Sequence, residues 1–142
     1  MAAPLVELVA HVEGRLDDET AQHFLQSYER DRATVNWVSD SAEAFDEVDQ
    51  DGARLVGLTH TFPRPGPWVT PAVERRLLAE VRWLVAWLGQ VSGDHGLVFA
   101  IRYDDRDIGR IRRGVIEEAV NEELIAVWQR DLERLERDSP RR

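Results

Sequence analysis

Four histidines, His11, His23, His60 and His95, are the first candidates for acid–base or metal chemistry. No two stand three or four apart and no HExxH is present, so no pair shares a helix face as a local zinc site requires. His60 is the best placed, at the end of a predicted strand and beside a proline-rich stretch, where a general acid or base could meet a cleft. Asp104, Asp105 and Asp107 cluster beside Arg102, Arg106 and Arg110. Such carboxylates can bind metal or move protons, although turns also select Asp for backbone reasons alone. His60, Asp104 and Asp105 are therefore the ligand-binding candidates. Arg110, Arg112 and Arg113 make a local positive group that could hold a phosphate or an acidic loop, or pair with Glu117, Glu118 and the Asp turn.

Other patterns fail on inspection. In DEVDQDG, placing Asp49, Asp51 and Gly52 at the third, fifth and sixth positions of a calcium loop puts Arg54 where an apolar residue belongs and Leu58 where the bidentate Glu belongs. Neither GxxxxGK[ST], GxGxxG nor GxSxG occurs. Cysteine is absent, which excludes disulfides, thiolate metal sites and Cys nucleophiles. This reading calls for no metal and no cofactor, and it favours a binding protein over an enzyme.

The formal charge is −9, from 18 basic and 27 acidic side chains, and every basic residue is Arg. That balance argues against nucleic acid, whose phosphates need basic surface, and against an anionic membrane. It favours a basic protein partner, whose approach the field would speed. The all-Arg usage fits a GC-rich genome. The most apolar run, Leu77 to Leu88, is broken by Glu80 and Arg82 and is too short to span a bilayer. The start, MAAPLVELVAHVEGR, has no charged region ahead of its apolar part and does not read as a signal peptide. A cytoplasmic protein is expected.

The elements that must position these residues follow from periodicity and punctuation. Leu5–Arg15 is β-like at its end, though LVELVA also suits a helix. Asp17 or Asp18 caps a helix to about Arg30, with Ala21, Phe24, Leu25 and Tyr28 on one stripe. Ala33–Val38 reads as a strand. The next segment is either a short helix capped by Ser39 or Asp40, or part of a hairpin turning at Asp51-Gly52. Arg54–Thr61 reads as a strand in which Gly57 marks weakness or a close approach. Pro63–Trp68 is a stiff loop, and Thr70-Pro71 opens a helix expected to end near Gly89. Leu97–Tyr103 and Ile108–Arg112 form a hairpin around Asp104–Asp107. Gly114 precedes a last helix over about Val115–Arg137, with Ile116, Val120, Leu124, Val127, Trp128, Leu132 and Leu135 as its core stripe. The expected fold is α+β: an antiparallel or mixed sheet of four to five strands, two long helices packed on one face, and a third, shorter N-terminal helix. Residues 1–137 make one domain and 138–142 a disordered polar tail.

The helix after Pro71 carries apolar area on two sides. At 100° per residue, Val73, Leu77, Leu78, Val81, Leu84, Val85 and Leu88 share one arc. Trp83 and Trp87 lie off it, beside Arg76 and Glu80. An indole removes roughly 200 Å² from water when covered, so another layer is expected over both: the proline loop, the C-terminal helix or a second subunit. Alternatively they form a binding hot spot, where Trp and Arg are enriched, extended by Trp68. Trp83, Trp87, Trp68, Arg76 and Glu80 are thus the partner-binding candidates.

The cassette IGRIRRGVIEEAVNEELIAVW, Ile108 to Trp128, resembles the C-terminal end of small acidic immunity-type proteins of bacterial polymorphic toxin systems. There a strand with an IGxI-like core is followed by Gly and an amphipathic helix ending in Trp. The resemblance carries over no functional residue. It implies a non-catalytic inhibitor that occludes a basic toxin, nuclease-like or nucleotide-directed. Two alternatives stand beside it: a homo-oligomeric accessory subunit, such as a homodimer, with the Trp face between copies, and a small enzyme or ligand-binding domain with a pocket near His60.

Overall fold

The computed structural model describes residues 4–39 and 41–138. Its centre is β1 (Leu5–Val12), in which Val6, Leu8, Ala10 and Val12 are buried and the intervening residues face away. A period of two can only be a strand with one covered face, which removes the helical alternative. β1 is flanked by β3 (Arg54–Pro63) and β4 (Val98–Tyr103). With β2 (Ser41–Val48), β5 (Arg106–Arg112) and β6 (Val115–Ile116) they form one antiparallel sheet in the order β2-β3-β1-β4-β5-β6. The sheet has six strands rather than four to five.

All helices lie on the face that carries Val56, Leu58, Phe62, Phe99 and Ile101. α1 (Asp18–Arg32) starts at Asp17, whose carboxylate accepts from the Thr20 N–H at 2.7 Å, and buries Ala21, Phe24 and Tyr28. α2 (Pro71–His95) starts at Thr70, with Pro71 in its first turn. The C-terminal helix runs as α3 (Glu118–Val120), a π-turn (Asn121–Ile125) and α4 (Ala126–Asp138). Its buried residues Val120, Leu124, Trp128 and Leu132 recur every four positions. In a regular α-helix that stripe drifts by about 40° per step; the wider π-turn offsets the drift and keeps it on the sheet. The opposite sheet face has no helix over it among the described residues.

Three expectations require correction, and one open alternative is resolved. Ala33–Val38 is not a strand. The Thr34 and Val35 N–H groups bond back to Asp31 and Arg32, and the Trp37 indole donates to the Arg32 carbonyl at 2.8 Å. Its apolar residues are spent on laying a loop over α2 instead of pairing. The segment after it is a hairpin arm, β2, and not a helix. α2 does not end at Gly89. It continues to His95 and stops at Gly96, in the left-handed region at φ 64°. Gly89 stays inside the helix, where a Cβ would stand 3.4 Å from Ile116. Finally, Val115–Ile116 is the sixth strand, so the last helix begins only at Glu118. The predicted tail lies outside the described residues except for Asp138, which ends α4, and the alternative cap Asp40 also lies outside them.

Gly57 is a close approach, as its place in a strand suggested. A Cβ there would stand 2.2 Å from the Ala10 carbonyl oxygen and 2.8 Å from Phe45, so the Phe45 ring lies across a position only Gly can occupy.

Candidate functional site

The partner-binding candidates fall into three situations. Trp87 is only 8% exposed. Its ring packs on Phe24 and Tyr28 at 5.7 and 5.5 Å, and its N–H donates to the Asp31 carboxylate at 2.9 Å. Trp83 is half-buried, stacked on Trp87 at 6.2 Å and met edge-on by Trp37 at 5.3 Å. The layer over both indoles is therefore α1 and the 33–38 loop of the same chain; the proline loop, the C-terminal helix and a second subunit are not needed to cover them. Glu80 is turned inward, where its carboxylate accepts from the Val38 N–H (2.5 Å), the Ser39 N–H (3.2 Å) and the Ser39 hydroxyl (2.6 Å). It fastens the loop that covers the tryptophans. Arg76, Glu80 and Trp83 do converge, with Val35, Asn36 and Ala79, on a depression of about 290 Å³. Trp68, 48% exposed, stands apart on the proline loop.

His60 is fully buried. Its Nε2 shares a 2.5 Å hydrogen bond with the Tyr28 hydroxyl, and Trp37 and Phe62 lie against the ring at 5.1 and 5.9 Å. Burial, helped by the nearby Arg32 charge, pushes its pKa down to about 4, while burial pushes Tyr28 up to about 12. Both are neutral core groups near pH 7. His60 is closed off beneath α1 and the 33–38 loop, and it does not join Asp104 and Asp105. Those two form the tight turn of the β4–β5 hairpin, both left-handed at φ 53° and 61°, which makes the connection two residues long and not four. Asp105 projects into solvent beside Arg102. Among the described residues no three His, Asp or Glu side chains could hold a metal ion together, although His23 and His95 meet edge-on at 5.8 Å.

Asp104 does line a cleft, of about 580 Å³, between the proline loop, the β4–β5 turn and α4. Arg64 binds Asp104 through two parallel bonds of 2.8 Å, and the guanidinium holds the Asp104 carboxyl below its usual range. Arg106, Arg130, Arg134 and Arg137 complete the basic lining. Arg134 pairs with Asp131, and Arg106 lies 3.9 Å from Glu123 in the π-turn. Arg130 and Arg137 have no carboxylate partner among the described residues. Beneath the wall is Glu74, fully buried, with one oxygen accepting from the Gly66 N–H at 3.0 Å. Its other oxygen and one oxygen of Asp131 are buried without a donor. A single proton between the two carboxyls satisfies both, and burial, with the Asp131 hydrogen bond adding to it, pushes Glu74 up to about 7.

The other end of β3 is acidic. Residues 1–63 contain 13 acidic residues against four Arg, and residues 64–142 contain 14 of each, so the whole formal −9 resides in the first part. Much of it gathers where the β2–β3 hairpin meets the start of α1. Arg54 ties Asp46 (2.9 and 2.8 Å) and Asp18 together and holds Asp46 below its usual range. Asp49 closes the turn by accepting from the Asp51 and Ala53 N–H groups at 2.9 and 2.8 Å. Glu43, Glu47 and Asp51 are exposed and have no ion-pair partner among the described residues. β2 is an edge strand, so this charge borders a row of backbone groups with no neighbouring strand.

The sequence put Asp104 in the turn of the β4–β5 hairpin, where it lies, but did not disclose the arginine-lined cleft around it. The signal that could have found it is Arg130, Arg134 and Arg137, at i, i+4 and i+7 along one helix face. The basic group it did select is compensated: Arg110 pairs with Glu13 and Asp107, and Arg112 with Glu117. No family model matches the chain, and neither a curated protein nor a solved structure matches it. No helix among the described residues is long and apolar enough to cross a membrane.

Proposed function

We propose that this chain is a non-catalytic binding protein of the immunity type, which occludes a basic partner domain with its acidic sheet edge. The observation that supports this reading is the segregation of the entire −9 into residues 1–63, with Glu43 and Glu47 on the edge strand β2 and Asp51 in the turn that follows it, all three without an ion-pair partner among the described residues. A basic surface meeting that edge finds carboxylates that form no ion pair among the described residues, beside a strand with no neighbour on that side. The depression at Trp83 and Arg76 adjoins the loop that leads into β2 and offers an aromatic contact at the rim. Self-association through the same edge is disfavoured, because two copies of β2 would set their carboxylates against each other.

The test is co-expression with the C-terminal domain encoded by the neighbouring gene. The expected result is rescue of growth by this chain and loss of rescue by the triple variant Glu43→Arg, Glu47→Arg, Asp51→Arg. A harmless neighbour, or equal rescue by parent and variant, overturns the reading.

A further inference from the structure

The arginine-lined cleft points to a second site, independent of the sheet edge. We propose that it binds a small phosphate monoester, with the dianion held by Arg130 and Arg137 and met by the hydroxyl of Tyr103. Three observations converge on this. First, the charges in the cleft are unequal: Arg64, Arg106 and Arg134 face Asp104, Glu123 and Asp131, which leaves Arg130 and Arg137 over. Two spare guanidinium groups on one cavity, in a protein whose net charge is strongly negative, match a doubly charged ligand. Arg offers the planar, two-pronged donor geometry that phosphate oxygens accept.

Second, Tyr103 lines the cleft and its oxygen already accepts the Trp128 indole N–H at 3.0 Å. Its own proton has no acceptor among the described residues. Burial keeps the phenol protonated, pushed up to about 12. Here is a neutral donor, fixed by a fully buried Trp, whose free proton suits an oxyanion. Third, the volume of about 580 Å³ exceeds what a bare phosphate fills, and Pro65 and Val127 supply apolar wall for the organic part. A polyanion such as RNA fits poorly, because a strand running past the cleft meets Glu122, Glu123 and Glu133 on the same helix.

The arginines hold their places through the packing already described. Arg134 is tied to Asp131, and the carboxyl pair of Asp131 with Glu74 anchors α4 to the start of α2. Glu74 in turn holds the proline loop through Gly66. Both spare arginines are exposed, so replacing them leaves the core untouched.

The experiment is calorimetric titration of the full chain at low ionic strength with ribose 5-phosphate, adenosine 5′-monophosphate, inorganic phosphate and succinate. Both esters are expected to bind, inorganic phosphate more weakly, and succinate weakest. Arg130→Ser and Arg137→Ser should each weaken the esters roughly tenfold, and the double variant roughly a hundredfold. Arg130→Lys should recover part of the loss, since it restores charge without the fork. Tyr103→Phe should weaken binding a few-fold, with its fold checked by circular dichroism because Trp128 loses its partner. Absence of ester binding, succinate or inorganic phosphate binding as tightly as the esters, or parent-like binding by the double variant overturns the site. Charge reversal of Glu43, Glu47 and Asp51 is expected to leave ester binding unchanged, so failure of the protein-binding reading and failure of this one are distinguishable.

Discussion

β3 joins two ends of the molecule that treat charge in opposite ways. At its first residue, Arg54 ties Asp18 and Asp46 together amid Glu47, Asp49 and Asp51, and most of those carboxylates are left to solvent. At its far end, about 30 Å away along ten residues of strand, Arg64 opens a cleft in which arginines outnumber carboxylates but nearly every carboxylate is paired. The difference lies in compensation more than in composition. Unpaired surface charge acts at a distance and speeds encounter; paired charge in a concave wall acts only at contact. On the two proposals above, the acidic end would attract something large and the basic end would hold something small.

The contrast can be broken in several ways. The largest effect expected is on association with a basic partner. Reversing Glu43, Glu47 and Asp51 should slow it by roughly 100-fold at low salt, with the gap closing as salt is raised. Stopped-flow mixing measures this. The same variant should change unfolding free energy by no more than about 0.5 kcal/mol, because these side chains support no internal contact.

Next comes the pH dependence of stability, which separates the cleft wall from the core beneath α1. Glu74, raised to about 7 from an ordinary 4.5, favours folding fully below pH 4.5, and that contribution is lost as pH rises through 7. His60, lowered to about 4 from 6.5, works the other way: its contribution is present above 6.5 and lost as pH falls toward 4. The two windows overlap with opposite slopes and nearly cancel, so denaturant unfolding should show only a shallow maximum near pH 5.5, with a fall of less than about 1 kcal/mol on either side. Glu74→Gln should unmask the His60 limb, giving a rise of roughly 3 kcal/mol between about pH 4 and 6.5 and no fall above it; a variant that keeps the shallow profile would exclude the shared proton. The smallest effect is expected for the ion pairs. A double-mutant cycle on Arg64 and Asp104, both about 40% exposed, should give a coupling of about 0.5–1 kcal/mol that weakens in salt.

Local signals carried much of this fold. The cap at Asp17, the Ala21–Phe24–Tyr28 stripe, Thr70-Pro71 and the Asp104 hairpin each depend on residues within a few positions of one another, and each was legible. Ala33–Val38 was misread because alternation marks a segment that is half covered without saying whether a strand or a helix does the covering. The cover over Trp83 and Trp87 was anticipated, but its source was not, since α1 and the loop containing Trp37 lie some fifty residues earlier in the chain. The edge status of β2 follows from strand order, and no single strand's pattern encodes that. Glu74 looked like an ordinary first-turn acidic residue; its burial depends on Asp131, on another helix. His60 and Asp104, proposed together, were separated by the sheet, which turns one inward beneath α1 and carries the other to a turn.

The π-turn at Asn121–Ile125 gives the last helix one extra residue at the level of the cleft. It uncouples the phase of the residues before it, fixed by Val120 on the sheet, from that of the residues after it. Deleting one position there would rotate everything downstream by about 100°, swinging Arg130, Arg134 and Arg137 away from the proline loop. Inserting one position into a straight helix at this level does the reverse, re-aiming three side chains at once without changing any of them.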